Sequence, residues 1–130
     1  FERKTFEKNI AEHQLVKQMI ANMEAGYEYA TCLWLKAGWL KNQGKRSTKA
    51  TSLAKWIACR EAESSASNAV QVFGAYGFSD EYPVERFYRN SKGASIYEGT
   101  REIHTLMQAD YALGFRKDSE LEKDLPVVEQ

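Results

Sequence analysis

Tyr97-Glu98-Gly99-Thr100 places a carboxylate in a short irregular segment, just ahead of residues patterned as a helix. A glutamate there can act as a general base, or it can do no more than cap free N–H groups at a helix start, where negative charge is favoured. A second irregular segment, 71–82, contains Gly74-Ala75-Tyr76-Gly77. Glycine lets backbone approach a ligand closely, and a tight turn between helices needs it just as much. Only a short helix separates the two segments, so both are expected near one end of the fold. Gly44-Lys45-Arg46-Ser47 invites comparison with a phosphate-binding loop, but Trp39 stands where the leading glycine belongs. It reads instead as a solvated basic turn shared with Lys41 and Lys49. His13 and His104 are single helical histidines without ligand partners, read as structural, and no metal site is expected. Cys32 and Cys59 form no CxxC pattern and are expected to be buried, reduced thiols.

The elements that must position these residues are helical. From Glu7 to Leu40, Ile10, Leu15, Met19, Met23, Tyr27, Ala30, Leu33 and Ala37 recur at helical steps, predicting one long helix over 7–40 that ends at Asn42-Gln43-Gly44. Ser47 or Thr48 can cap a second helix running to Phe73. On it Ala50, Ala54, Ala58, Ala62 and Ala66 make a ridge of small side chains that lets another helix come close. Pro83 suits the first turn of a short helix over Val84–Ser91, broken by Gly93. Thr100 is a good cap for a last helix closed by Gly114. No segment asks for a strand. The expected architecture is all-α, an antiparallel helical bundle over residues 1–116, with a charged tail, 117–130, that frays or lies on a neighbour.

Composition narrows the function classes. Among 130 residues, 18 Lys and Arg balance 18 Asp and Glu, for a formal charge of zero. Neutralising phosphates requires a basic excess, so nucleic acid is not the expected partner. The 43% hydrophobic and 28% charged content is that of a soluble globular domain. No apolar run approaches the roughly 20 residues of a membrane span, and no signal peptide leads the chain. Phe1, rather than Met, suggests a piece of something longer.

Three blocks carry a likeness to a known family. They are Arg3-Lys4-Thr5-Phe6 with His13-Gln14 downstream; Gln71 to Phe78, continuing through Glu81-Tyr82-Pro83-Val84-Glu85-Arg86 to Arg89-Asn90; and Ile96-Tyr97-Glu98-Gly99-Thr100. In this order and spacing they resemble the C-terminal helical domain of the flavin-dependent acyl-CoA dehydrogenases, from Arg3 to about Gly114. The resemblance implies α,β-dehydrogenation of an acyl-CoA thioester, with Glu98 as the base for the α-proton and FAD as hydride acceptor. A site emptied of water suits a carboxylate to that weakly acidic proton. The backbone N–H of the same glutamate, with a flavin hydroxyl, would hold the thioester carbonyl. Tyr97 and Gly99 would border the substrate. Arg3, Thr5 and Phe6 match positions that reach the cofactor's adenosine and pyrophosphate, typically on a neighbouring subunit, and Gln14 and Gln71 its adenine side. Gly74 and Ala75 would allow its close approach, and Thr100 and Glu102 match positions beside it.

Departures are Glu7, Ala75 and Glu102, where relatives often have glycine, glycine and glutamine. The family's N-terminal helical domain, its middle β domain and one further bundle helix lie outside this sequence. The 130 residues are therefore expected to be inactive alone and to expose an apolar face. The implied partners are an acyl-CoA, further copies of the chain as a dimer of dimers, and an electron-transferring flavoprotein, in the cytoplasm or mitochondrial matrix. An acyl-CoA oxidase, a nitroalkane oxidase or a non-catalytic helical oligomerisation module are the alternatives.

Overall fold

The computed structural model describes residues 3–118. Five helices make up the fold: α1 (Gln14–Asn42), α2 (Thr48–Phe73), α3 (Ala75–Phe78), α4 (Val84–Ala94) and α5 (Arg101–Leu113). Helix α2 is the hub, touching each of the others. Helix α1 runs back along it on one side, joined by the turn at Gly44, whose φ of 66° is the left-handed conformation glycine adopts without penalty. On the other side α4 and α5 both run opposite to α2. Lys92 of α4 meets Glu63, while Ser52 meets His104 and Lys49 meets Gln108 of α5. The bundle thus has three columns, the third interrupted between α4 and α5, and the interruption is the segment that carries Glu98.

The helical antiparallel bundle agrees with the sequence pattern; several details do not. The first helix begins at Gln14, not Glu7. Ahead of it lie two short antiparallel strands, β1 (Lys4–Thr5) and β2 (Lys8–Asn9), then a 3-10 turn, Ile10–Glu12. His13 is extended, with ψ 135°, because its Nε2 is held 2.8 Å from Thr5 Oγ1 and 3.2 Å from the Thr5 carbonyl oxygen. That anchor folds the chain back before the apolar periodicity takes effect. The two-residue hairpin loop is Phe6-Glu7, both at positive φ, 49° and 63°. Positive φ at both central residues matches the twist of paired strands, and glycine would adopt it more cheaply than Glu7 does.

Gly93 does not break α4, which continues through Ala94. The Gly93 carbonyl accepts from the N–H groups of Ile96 and Tyr97, closing the helix after it. Pro83 caps α4 rather than sitting inside its first turn. Gly77 lies in α3, where a Cβ would come within 2.5 Å of the Val70 carbonyl and 2.8 Å of Phe73 Cβ. Its lack of a side chain therefore serves helix packing. Cys32 is exposed and Cys59 half-buried, so neither is the buried thiol expected. The tail lies outside the described residues from 119 onward. Its first part is tied down: Tyr111 Oη donates to Asp118 Oδ1 at 2.7 Å, and the Lys49 N–H to Asp118 Oδ2 at 3.4 Å.

The core is thin. Ala37, Ala54 and Tyr111 are its buried apolar residues, and among the described residues no large side chain is fully buried. Part of the alanine ridge faces α1, where Gly26, Ala30, Ala58 and Ala62 line a hollow of about 280 Å³. Tyr27, Trp34, Leu35 and Trp39 of α1 stay exposed. An apolar surface of this extent on one helix marks a face made to be covered.

Candidate active site

The candidate residues fall into two groups rather than one. Glu98 and its neighbours sit beside Ser52 and Lys55 near the start of α2, whereas Gly74 follows its end. Nineteen residue-to-residue steps along α2 lead from Lys55 to Gly74, about 28 Å at the α-helical rise. The expectation that both irregular segments share one end of the bundle fails because α4 runs antiparallel along α2 and carries the chain from one to the other.

In the first group, Glu98 is exposed at the break in the third column with φ 54°, and Gly99 follows at φ 93°. A glutamate in the left-handed region costs of order 1 kcal/mol or more and persists only where surrounding contacts impose it. Here they are explicit. Lys55 Nζ donates to the carbonyls of Ala94 at 2.8 Å, Tyr97 at 3.0 Å and Gly99 at 2.8 Å. An ammonium has three donors, so all are committed to this loop. Ser95, a buried residue, donates to Glu63 Oε2 at 3.1 Å, and Lys92 Nζ to Glu63 Oε1 at 2.8 Å. Those bonds, Lys92 first, hold the Glu63 carboxyl below its usual range against opposing desolvation.

From the far side the imidazole of His104 fills the space at Gly99, where a Cβ would lie 2.8 Å from Nε2. Nδ1 of His104 pairs with Ser52 Oγ at 3.0 Å, and Nε2 is buried without a partner among the described residues. His104 thus packs between Ser52 and Gly99. The room at Gly99 is taken on this side by that ring, and Tyr97 lies exposed.

Thr100 caps α5, its Oγ1 accepting from the Ile103 N–H at 3.4 Å. The Glu102 carboxyl is held below its usual range, first by its own backbone N–H, then by Arg101, whose Nε lies 3.2 Å away, and by Thr100. At this helix start the Arg101 N–H donates to the Ser95 carbonyl, and the Thr100 and Glu102 side chains meet the N–H groups that follow. Glu102 also adds negative charge where a pyrophosphate would come.

The second group fits that chemistry better. The Arg3 guanidinium reaches Gly74, with Nη1 3.5 Å from where a Cβ would stand, and Gly74 has φ 63° and ψ −135°. Ala75 follows it, exposed, at the start of α3, and Gln71 lies exposed in the last turn of α2. Thr5, Phe6 and Gln14 line an open groove of about 680 Å³ with His13 and Leu15. A guanidinium fork for phosphate oxygens, an exposed aromatic ring for a base and an exposed amide suit the adenosine diphosphate part of a dinucleotide. The hydroxyl of Thr5 also pairs with His13, which helps to hold the hairpin.

Lys55 gave no signal as a motif. Its sequence setting, Leu53-Ala54-Lys55-Trp56-Ile57, puts one cation inside an apolar run, and such a cation requires acceptors. That was the available clue.

With this geometry, comparison with known proteins is specific. Residues 2–113 match the family model described as acyl-CoA dehydrogenase, C-terminal domain. The chain belongs to the acyl-CoA dehydrogenase family. It is similar to cyclohexane-1-carbonyl-CoA dehydrogenase of Geobacter metallireducens, 43% identical over 108 residues that make up 83% of this chain and 28% of that protein. It is 40% identical, over 82% of its length and 28% of the relative's, to the CarC subunit of the caffeyl-CoA reductase-Etf complex of Acetobacterium woodii. Among solved structures, the FAD complex of PigA superposes with a TM-score of 0.83 at 26% identity, covering 89% of this chain and 30% of that one. The chain therefore spans under a third of the length of these relatives. Among the described residues no helix is long and apolar enough to cross a membrane.

Proposed function

We propose that these residues form the C-terminal domain of a longer flavin-dependent acyl-CoA dehydrogenase. Its reaction is the removal of one hydrogen from each of the α and β carbons of an acyl-CoA thioester. Glu98 is the base. Its carboxylate takes the α-proton, the electron pair of that C–H bond becomes the α,β double bond, and the β-hydrogen departs with its own pair. FAD, when bound, supplies the acceptor for that hydride. Arg3, Phe6, Gln14, Gln71, Gly74 and Ala75 would hold the cofactor's adenosine and pyrophosphate, while Tyr97 and Gly99 border the reacting carbons.

The observation that carries this reading is the placement of Glu98. It stands exposed at the break between α4 and α5, in a left-handed conformation imposed by bonds from α2. A cap would not need such a posture, whereas a base offered to a ligand from a fixed loop does. The 28 Å between the two groups supports the reading that the Arg3–Phe6 hairpin serves the cofactor of a neighbouring subunit. It also supports the reading that the exposed face of α1 is covered by the rest of the polypeptide or by further copies. In that assembly electrons leave through an electron-transferring flavoprotein, and the 130 residues alone are inactive.

The test uses the full polypeptide carrying this chain, loaded with FAD and mixed without oxygen with a panel of acyl-CoA thioesters while flavin absorbance is followed. The parent is expected to bleach with at least one thioester. Glu98→Gln, retaining flavin, should bleach at least about 10³-fold more slowly, the scale on which a positioned acid–base group acts. Equal bleaching by both proteins removes Glu98 as the base. Peroxide formed in air without a partner flavoprotein identifies an oxidase.

A further inference from the structure

The three bonds made by Lys55 do more than hold a loop together. The Tyr97 carbonyl and the Glu98 N–H belong to one peptide group, which is planar and trans, so its C=O and N–H point in opposite directions. Lys55 Nζ sits 3.0 Å from the Tyr97 oxygen. The Glu98 N–H is thereby turned away from α2, toward the open surface where the Glu98 side chain is exposed. No acceptor among the described residues takes that N–H. The bonds to Ala94 and Gly99 grip the loop on either side, so the peptide cannot rotate without breaking a charge-assisted contact. A cation on the carbonyl also polarises the amide and makes its N–H a better donor.

We propose that Lys55 is a positioning residue that presets the Glu98 N–H as a donor to the carbonyl oxygen of the acyl thioester. The proposal rests on the reading of Glu98 given above. Negative charge grows on that oxygen as the α-proton leaves, so a donor already aimed at it is worth more in the transition state than in the ground state. Lys55 touches neither substrate nor cofactor in this role. It acts through the Tyr97–Glu98 peptide.

The test compares the FAD-loaded full polypeptide with its Lys55→Met, Lys55→Gln and Lys55→Arg variants, using two CoA ligands that cannot be oxidised. One is a 3-thia-acyl-CoA, which keeps the thioester carbonyl and an acidic α-proton but offers sulfur where the β-carbon would be. The other is a thioether with methylene in place of that carbonyl. Lys55→Met is expected to weaken binding of the carbonyl ligand and slow anaerobic bleaching by thioester substrate, each by about 10²-fold. Affinity for the thioether should stay within about twofold. Lys55→Arg, keeping charge and donors, should recover part of both losses.

Equal affinity of parent and Lys55→Met for the carbonyl ligand overturns the proposal. So does an equal loss for both ligands, which would make Lys55 merely structural. If Lys55→Met does not fold, Lys55→Gln decides by the same ratio of affinities, since it keeps donors without charge. Glu98→Gln separates the two readings. It keeps the N–H, so it should retain the preference for the carbonyl ligand while losing bleaching. A Glu98→Gln protein that bleaches normally fails the base assignment and leaves the Lys55 ratio still decisive.

Discussion

The Glu98 loop and the Phe6-Glu7 hairpin are both short and irregular, and both place non-glycine residues at positive φ, yet they are built in opposite ways. The loop is gripped from three directions: Lys55 on its carbonyls, Glu63 on Ser95, and His104 under Gly99. The hairpin is held at its base by His13 and by the Ile10 N–H donating to the Arg3 carbonyl, while Phe6 projects with 93% of its surface open. The domain thus supplies its own rigidity where a proton would be moved. Where a cofactor's distal half would be held, it offers an open surface. Preorganisation matters most at the reacting atoms, because a displacement there raises the barrier, whereas a binding edge tolerates adjustment when its partner arrives.

The sharpest way to break that contrast is at Gly99. With φ 93° and the His104 ring 2.8 Å from any Cβ, Gly99→Ala is expected to destabilise the protein by about 2 kcal/mol through backbone strain and the displaced imidazole. Urea unfolding of the full polypeptide measures it, and bleaching should fall at least as far as in Lys55→Met. An alanine that leaves both unchanged would show that the loop is not over-determined.

Next in size is Glu63→Gln, which removes the charge that receives Lys92 and Ser95. The expected cost is about 1 kcal/mol, the scale of a partly screened pair with an added neutral bond. It carries a pH signature. The folded state holds the Glu63 carboxyl below its usual 4.5, so folding binds that proton less tightly than the unfolded chain does. The stabilisation is complete above the unfolded value and is lost as pH falls through the lower folded one. The parent should therefore lose its advantage over Glu63→Gln between about pH 5 and 3, and denaturant midpoints across that window check it.

Much of the fold was legible because long apolar periodicity is a local property: the ends of α1 and α2, the Thr100 cap and the left-handed Gly114 all follow from residues close in sequence. The start of α1 was not, because a contact eight residues back, His13 to Thr5, overrides a periodicity that still runs through Ile10. The candidate site was legible where a motif names its residues, at Glu98 and at Gly74. Lys55 is named by no motif, only by a cation set in an apolar run, since its bonds are to carbonyls that lie 39 to 44 residues away in sequence. The separation of the two groups was misread for a related reason. A short helix between two segments says how far apart they can be, and only its direction along α2 says how far apart they are.

The smallest expected effect on stability, and the clearest on assembly, is at Phe6. Its ring meets His13 edge-on at 6.4 Å between centroids and little else, so Phe6→Ser removes almost no packing within the chain. Unfolding free energy should change by less than about 0.5 kcal/mol, the usual range for an exposed site. If the hairpin presents that ring to a dinucleotide held partly by a neighbouring subunit, the same variant should weaken FAD retention about tenfold. The loss of one aromatic stacking contact in a water-excluded interface is of that size. Flavin release during gel filtration of the full polypeptide, at several protein concentrations, reads this out. Retention that falls on dilution in Phe6→Ser but not in the parent places the ring at a shared site. Retention equal in both would mean that the hairpin, for all its exposure, faces solvent in the assembled protein, and that rigidity alone distinguishes the two regions.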